Sequence, residues 1–290
     1  MPTAASPSKL FLWDKRTLYL GPLLEEISLS YGAATLIISL DDPIQFHDDS
    51  STKYDRCHSL LVAAGKRITI NTGQSNIAIC YLDPMGKDFH YLTCLMKKTN
   101  NDIYCHVNNT INFTSTFELL YKQKHTSESA YEALEQVFNY PSYFEHPSDY
   151  LDKTKTYKQD ARIENVISLI KSHILDNLSI EDLARSVNLS ETHLMQLFKI
   201  QTGIPIRRYR LWHRLFTSGI KLSQGYNLTQ AASESGFNDS AHFAKTFKDM
   251  LGMSASSILM QPNGLELIAP TIDPPTIDAA IHCELETVLN

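Results

Sequence analysis

The sequence predicts an α+β protein. Its N-terminal half reads as a β-rich barrel with a helix. Its C-terminal half reads as an all-α domain of two helix-turn-helix units joined by a linker helix. Three observations predict this. Short apolar runs separated by turn residues fill the first 120 positions. Two stretches of the second half repeat one pattern. The segment between those stretches has helical apolar spacing with a glycine or proline at each end.

The strands come first. Ala34–Leu40, Ser59–Ala63, Arg67–Asn71 and Asn76–Leu82 are rich in β-branched and apolar residues. Asp-Asp-Pro, Ala-Gly-Lys and Thr-Gly-Gln turns separate them. Several short strands at such spacing predict a sandwich or small barrel. Residues 126–139 open with helix-capping types, and Tyr131, Leu134 and Phe138 follow at helical spacing, so a helix is expected there. It has two expected roles, packing on the β domain or pairing with its copy in a second subunit. Residues 140–160 are polar and proline-marked and read as a linker; residues 261–290 read as a flexible tail. The expected domains are therefore 9–139 and 161–260.

Within 161–260 a first helix over about 161–175 carries Ile163, Val166, Ile167, Ile170 and Ile174 on one stripe. Then the repeat begins. One copy runs Leu183-Ala184, Asn188-Leu189-Ser190, His193-Leu194, Phe198-Lys199. The other runs Ala231-Ala232, Gly236-Phe237-Asn238-Asp239, His242-Phe243, Phe247-Lys248. Asn188 and Gly236 suit the left-handed backbone of a tight turn between helices. Ser179 with Asp182 looks like a capping box, and Ser190 and Asn238-Asp239 supply starts for the second helix of each unit. In the first unit Leu194, Leu197 and Phe198 face the core, while Glu191, Thr192, Met195, Gln196 and Lys199 lie opposite. In the second, Phe243, Phe247, Met250 and Leu251 face inward, leaving Ser240, Ala241, Ala244, Lys245 and Lys248 outside.

A helix with one polar face of this kind can enter a major groove. There glutamine pairs with adenine, methionine packs on a thymine methyl, and glutamate accepts from cytosine. The second face offers fewer base-reading groups, so it is expected to contribute more to phosphate positioning. Gly203 and Pro205 end the first unit, and the linker helix runs from about Ile206 to Ser223. Its 18 residues span roughly 27 Å at ~1.5 Å each, close to the ~34 Å between successive major-groove faces. Arg207, Arg208, Arg210, Arg214 and Lys221 stand on it without an acid among residues 206–221. Guanidinium groups suit phosphates. The equivalent histidines, His193 and His242, are read as structural or phosphate-side groups.

Charge supports this division. The whole chain is −6, but residues 161–260 carry +3 and the remainder −9. The local sign is what a polyanion meets. No run of 18 apolar residues appears, so no membrane partner is expected. The N-terminus lacks a basic start followed by an apolar stretch, which predicts a cytoplasmic protein. The five cysteines include no C-x-x-C, so neither a disulfide framework nor a structural zinc site is expected. Cys57-His58 and Cys105-His106 are adjacent pairs of a kind that can bind metal, with two half-buried thiols as the plainer reading. No cofactor and no metal site are expected.

Residues 161–260 resemble the AraC/XylS family of bacterial transcription regulators. The motifs that carry the likeness are Leu183-Ala184, Ser190, His193-Leu194, Phe198-Lys199, Thr202-Gly203-Ile-Pro205, Gly236-Phe237-Asn-Asp-Ser240, Phe243, Phe247-Lys248 and Leu251-Gly252-Met253-Ser254. The resemblance implies a double helix-turn-helix domain that binds promoter or operator DNA, contact with RNA polymerase, and residence on the nucleoid when bound. Base-reading positions carry over to Thr192, Met195 and Gln196, and to Ser240, Ala241 and Lys245. The N-terminal half is similar to the cupin-like sensor domain of some members, through Leu18-Tyr19-Leu20-Gly21-Pro22 and Tyr81-Leu82-Asp83-Pro84. The metal-binding histidines of cupins have no counterpart at Ser28-Leu29-Ser30-Tyr31 or Gly65-Lys66-Arg67. Together these likenesses imply a non-enzymatic regulator, an activator, with room for a small-molecule effector and a homodimer. Two other readings stand beside it: a DNA-repair enzyme with a reactive cysteine that borrows the same module, and a partner protein that binds no DNA.

Overall fold

The computed structural model describes residues 6–23, 26–30, 32–49, 53–83, 85, 87–99, 102–107, 113–138, 160–251, 254–255 and 264–270. The N-terminal half supplies strands β1 (Ser8–Leu12), β2 (Arg16–Pro22), β3 (Ile27–Ser30), β4 (Ala34–Ser39), β5 (Ile44–Asp48), β6 (Asp55–Cys57), β7 (Ser59–Val62), β8 (Arg67–Asn71) and β9 (Asn76–Leu82). Helix α1 (Asp88–Leu95), strands β10 (Met96–Lys98) and β11 (Ile103–Val107), and helices α2 (Phe113–Lys122) and α3 (Ser127–Val137) come next. Strand β12 (Leu265–Ile268) comes from the far end of the chain. Eight strands form one sheet in the order β10-β11-β7-β4-β9-β2-β1-β12, and four form another in the order β3-β8-β5-β6.

The larger sheet is apolar on both faces, which is why β4 and β7 are buried along their whole length. One face meets the small sheet over Tyr19, Ile37, Leu60, Ile70 and Ile79. The other is covered by α2 and α3 through Phe113, Phe117, Leu134 and Phe138. The helix expected at 126–139 is α3. Thr126 and Ser129 form a capping box at its start, and Leu134 and Phe138 pack on the β domain.

Three polar groups pin the helices to the sheet. Lys9, buried on β1, donates to the Leu120 carbonyl at 2.9 Å and to that of Gln123, so its ammonium sits at the C-terminus of α2. Trp13 Nε1 donates to Ser127 Oγ at 3.0 Å. Arg16, buried on β2, donates to Asp88 at 2.6 and 2.9 Å and to Glu135, joining β2, α1 and α3.

The C-terminal half holds α4 (Ala161–Ser172), α5 (Ile180–Ser186), α6 (Glu191–Thr202), α7 (Ile206–Ser223), α8 (Leu228–Ser233) and α9 (Ser240–Leu251). Two expectations need correction. The first helix stops at Ser172, so Ile174 is off its stripe: the backbone leaves the helix at His173, whose ring Nδ1 lies 3.1 Å from the Leu169 carbonyl. The tail is not loose where it is described: Leu265–Ile268 pairs in parallel with β1, Ser8 opposite Leu265 and Phe11 opposite Ile268. Its apolar alternation at 265 and 267 against the sheet edge is the reason. The expected linker from 140 to 159, and the tail beyond 270, lie outside the described residues.

The halves meet directly. Trp212 of α7 tilts against Tyr81 at 5.1 Å, Lys171 of α4 pairs with Asp14 at 2.7 Å, and Gly219 of α7 leaves room for Leu12. The Ala64–Gly65 turn abuts Gly203–Ile204 at the end of α6.

Candidate nucleic-acid interface

The two helix-turn-helix units close their turns with the same hydrogen bonds. In the first, Val187 and Leu189 N–H both donate to the Ala184 carbonyl (3.3 and 2.9 Å) and Asn188 donates to Arg185 (3.2 Å). In the second, Ser235 and Phe237 donate to Ala232 (3.2 and 3.1 Å) and Gly236 donates to Ser233 (3.1 Å). Asn188 and Gly236 take φ of 54° and 81°, as their types suggested. The second turn is then one residue longer. Ser190 caps α6 by accepting from His193 N, while Asp239 rather than Asn238 accepts from His242 N at 2.6 Å. From there Leu194 matches Phe243, Phe198 matches Phe247, and Lys199 matches Lys248.

A side chain at 236 would have to tolerate a left-handed φ. Its Cβ would also stand 3.0 Å from Arg214 Nε and 3.1 Å from the Ile174 carbonyl. Gly236→Ala is expected to cost about 1–2 kcal/mol and to weaken DNA binding with it. A thermal melt that leaves the variant level with the native chain would show that the turn relaxes freely.

Each second helix keeps its apolar face inward. Leu194 and Phe198 are fully buried in the core of the first unit, beside Ile163, Val166 and Tyr209. Phe243 and Met250 are buried in the second unit, with Phe247 and Leu251 partly so. Exposed on the opposite faces are Glu191, Thr192, Met195, Gln196 and Lys199 on α6, and Ser240, Ala241, Ala244, Lys245 and Lys248 on α9. The structure thus places nine of the eleven sequence-predicted residues on two exposed helix faces. The other two, on α7, divide: Arg207 is exposed, whereas Arg208 is half-buried. Burial pulls the Arg208 pKa below its usual value, partly offset by Asp249 of α9.

Arg210 and Arg214 also depart from the phosphate-facing reading. Arg210 donates to Asn177 Oδ1 at 3.1 Å and to the Leu178 carbonyl, and Arg214 donates to the Ile174 carbonyl at 3.2 Å. The bonds to Leu178 and Ile174 satisfy backbone acceptors left open after α4 ends, and the bond to Asn177 holds its side chain beside them. Lys221 pairs with Glu234 at 2.8 Å. The histidines differ too: His193 is exposed, while the partly buried His242 ring stands edge-on to Phe237 at 5.3 Å.

Sequence reasoning missed Ile200, which is 76% exposed on α6. An isoleucine that solvated is unusual on a helix whose core face is full, and the i+4 spacing from Gln196 would have flagged it. Among the described residues no group of three or more His, Cys, Asp or Glu side chains is placed to hold a metal ion, and no helix is long and apolar enough to cross a membrane.

A paired-unit α domain with two solvent-facing second helices, docked on a double-sheet β domain, defines a two-domain helix-turn-helix protein. Residues 183–261 match the family described as "Helix-turn-helix domain". Among curated proteins the chain is similar to the Msm operon regulatory protein of Streptococcus mutans, 29% identical over 39% of this chain and 40% of that protein. It is similar also to the lactose operon transcription activator of Staphylococcus xylosus, 26% identical over 32% of this chain and 34% of that one. The chain therefore spans well under half the length of these relatives. Among solved structures, an apo variant of ToxT from Vibrio cholerae superposes with a TM-score of 0.57 at 16% identity, covering 86% of this chain and 98% of that one. ToxT bound to an unsaturated fatty acid gives 0.52 at 15%, covering 85% and 95%. The likeness extends through both halves, so the β-rich half shares the fold of the ToxT N-terminal region.

Proposed function

We propose that this chain is a sequence-specific DNA-binding transcription regulator, an activator, whose N-terminal domain senses an effector or dimerises. One observation carries the reading: two units closed by the same hydrogen bonds each leave a polar helix face exposed, and a helix of 18 residues joins them. On α6, Thr192, Met195 and Gln196 would read base edges, with Glu191 and Lys199 at the margins. On α9, Ser240, Ala241 and Lys245 would face the second groove segment, with Lys248 on phosphate. Arg207 would add a phosphate contact from α7. Arg208, half-buried, fits that role less well than Arg207. The relatives' names support control of transcription, and the activator among them supports recruitment of RNA polymerase. Residence in the cytoplasm, on the nucleoid when bound, goes with that role.

An alkyl-transfer enzyme would need a low-pKa thiol. Burial pushes the exposed-side Cys94 thiol up from its ordinary value, and it pushes Cys80 up to about 12. Both shifts count against those two thiols; the hydrogen bond with Cys57 lowers the Cys105 thiol instead, but Cys105 is buried.

The test is binding of a selected duplex by the native chain and by Gln196→Ala over a range of salt. The variant is expected to lose about 1–3 kcal/mol on the preferred site and to relax choice at one base pair. Equal weakening on every sequence would remove Gln196 from base reading. A salt-independent affinity would remove DNA from the account.

A further inference from the structure

The domain junction encloses a cavity of about 60 Å3, lined by Leu12, Tyr81, Trp212 and Phe247 from the two domains and by Leu265 and Leu267 from β12. Among the described lining residues there is no Lys, Arg, His, Asp or Glu. That volume suits a water or two. Ligand pockets usually run to ~300–1,000 Å3. Much of the space between β1 and α7 is taken by the chain's own β12.

Strand β12 is weakly held. It has four residues, each only half-buried, and it pairs with β1 alone, at the edge of the sheet. The pairing is parallel, the less stable form per residue. The Ser8 N–H donates to the Gly264 carbonyl at 3.1 Å. Alternation turns Leu265 and Leu267 into the cavity and Glu266 away from it. Upstream of this strand the chain leaves α9, whose Leu251 lines the same cavity. The strand thus ties the end of the second helix-turn-helix unit back to the N-terminal domain.

We propose that β12 is a displaceable internal plug of an effector site, and that the ligand is an uncharged apolar small molecule that replaces Leu265 and Leu267 between β1 and α7. Departure of the strand loosens α9 from the N-terminal domain. The consequence for DNA rests on the regulator reading above; the site itself does not.

The probe is N-phenyl-1-naphthylamine, which is uncharged, brightens in apolar surroundings and accepts energy from tryptophan. Full-length Leu265→Ser/Leu267→Ser is expected to bind it at least tenfold more tightly than the native chain, with energy transfer that falls when Trp212→Phe is added. Glu266→Pro leaves every lining side chain in place and removes a ladder donor. It is expected to do the same, and it serves as the decisive variant if circular dichroism shows the double serine variant misfolded. Probe affinity equal to native in Glu266→Pro, or a signal indifferent to Trp212→Phe, overturns the proposal. DNA affinity is measured separately on the same proteins. A native chain that binds the probe as expected but no DNA would sink the regulator reading and leave the plug intact.

Discussion

Arg16→Ala is expected to be the most damaging single substitution in the N-terminal domain. The guanidinium is 5% exposed, and Asp88, its partner, is 6% exposed. It also lies over the Phe138 ring at 4.5 Å. Burial alone would lower the Arg16 pKa, but the Asp88 hydrogen bonds and charge, with Glu135, hold it above its ordinary value. Truncation leaves the Asp88 carboxylate buried without its cation. Breaking one side of a buried pair costs about 3–5 kcal/mol, against a typical total of ~5–15 kcal/mol. Calorimetry should show the melting temperature falling by roughly 10 °C. The double variant Arg16→Met/Asp88→Leu should recover much of the loss, because it leaves no stranded charge. A single variant that melts with the native chain would mean that Asp88 reaches water in solution.

The second large effect is on pH. His213 of α7 sits at the domain junction in a hollow lined also by Trp13, Asp14, Lys15, Arg16, Asp83, Lys171 and Tyr209. Burial, helped by Lys171 and opposed by Asp14, pushes its pKa down to about 4. The unfolded chain protonates this group near pH ~6.5. Between those values unfolding takes up a proton, so stability falls as pH drops through the window and levels off below it. The slope from this group approaches ~1.4 kcal/mol per pH unit at most, and less to the extent that the partly solvent-touched ring is hydrated. Denaturant midpoints at neutral pH and at two points inside the window should separate native from His213→Gln, which lacks the slope. Parallel curves would mean that the ring protonates inside the fold.

Much of this fold was legible in the residues, for reasons that differ by element. Strands β4, β7, β8 and β9 were placed to within a residue because turn types bracket β-branched runs. Strands β1 and β2 were not, because Lys9 and Arg16 interrupt their apolar runs, and both are buried and satisfied by groups more than 70 positions away. Helices α1 and α2 were missed for a related reason: their apolar faces look like more strand. In the C-terminal half the repeat placed α5, α6, α8 and α9, the first helix was read about three residues too long, and Ile206–Ser223 was read with the bounds it has. The roles of Arg210 and Arg214 were not legible. A basic stripe signals phosphate only when nothing nearer accepts, and the carbonyls after α4 come from 30–40 positions upstream. The tail strand escaped notice because Leu-Glu-Leu-Ile is short and its partner lies at the opposite end of the chain.

Hydroxyl-radical footprinting on a selected site measures most directly whether the two exposed helix faces act together on one duplex. Two protected patches centred about 10 base pairs apart on one side of the helix, the second weakened by Lys245→Ala and the first by Gln196→Ala, are the predicted result. A single patch, or none above that given by an unrelated basic protein, would contradict it.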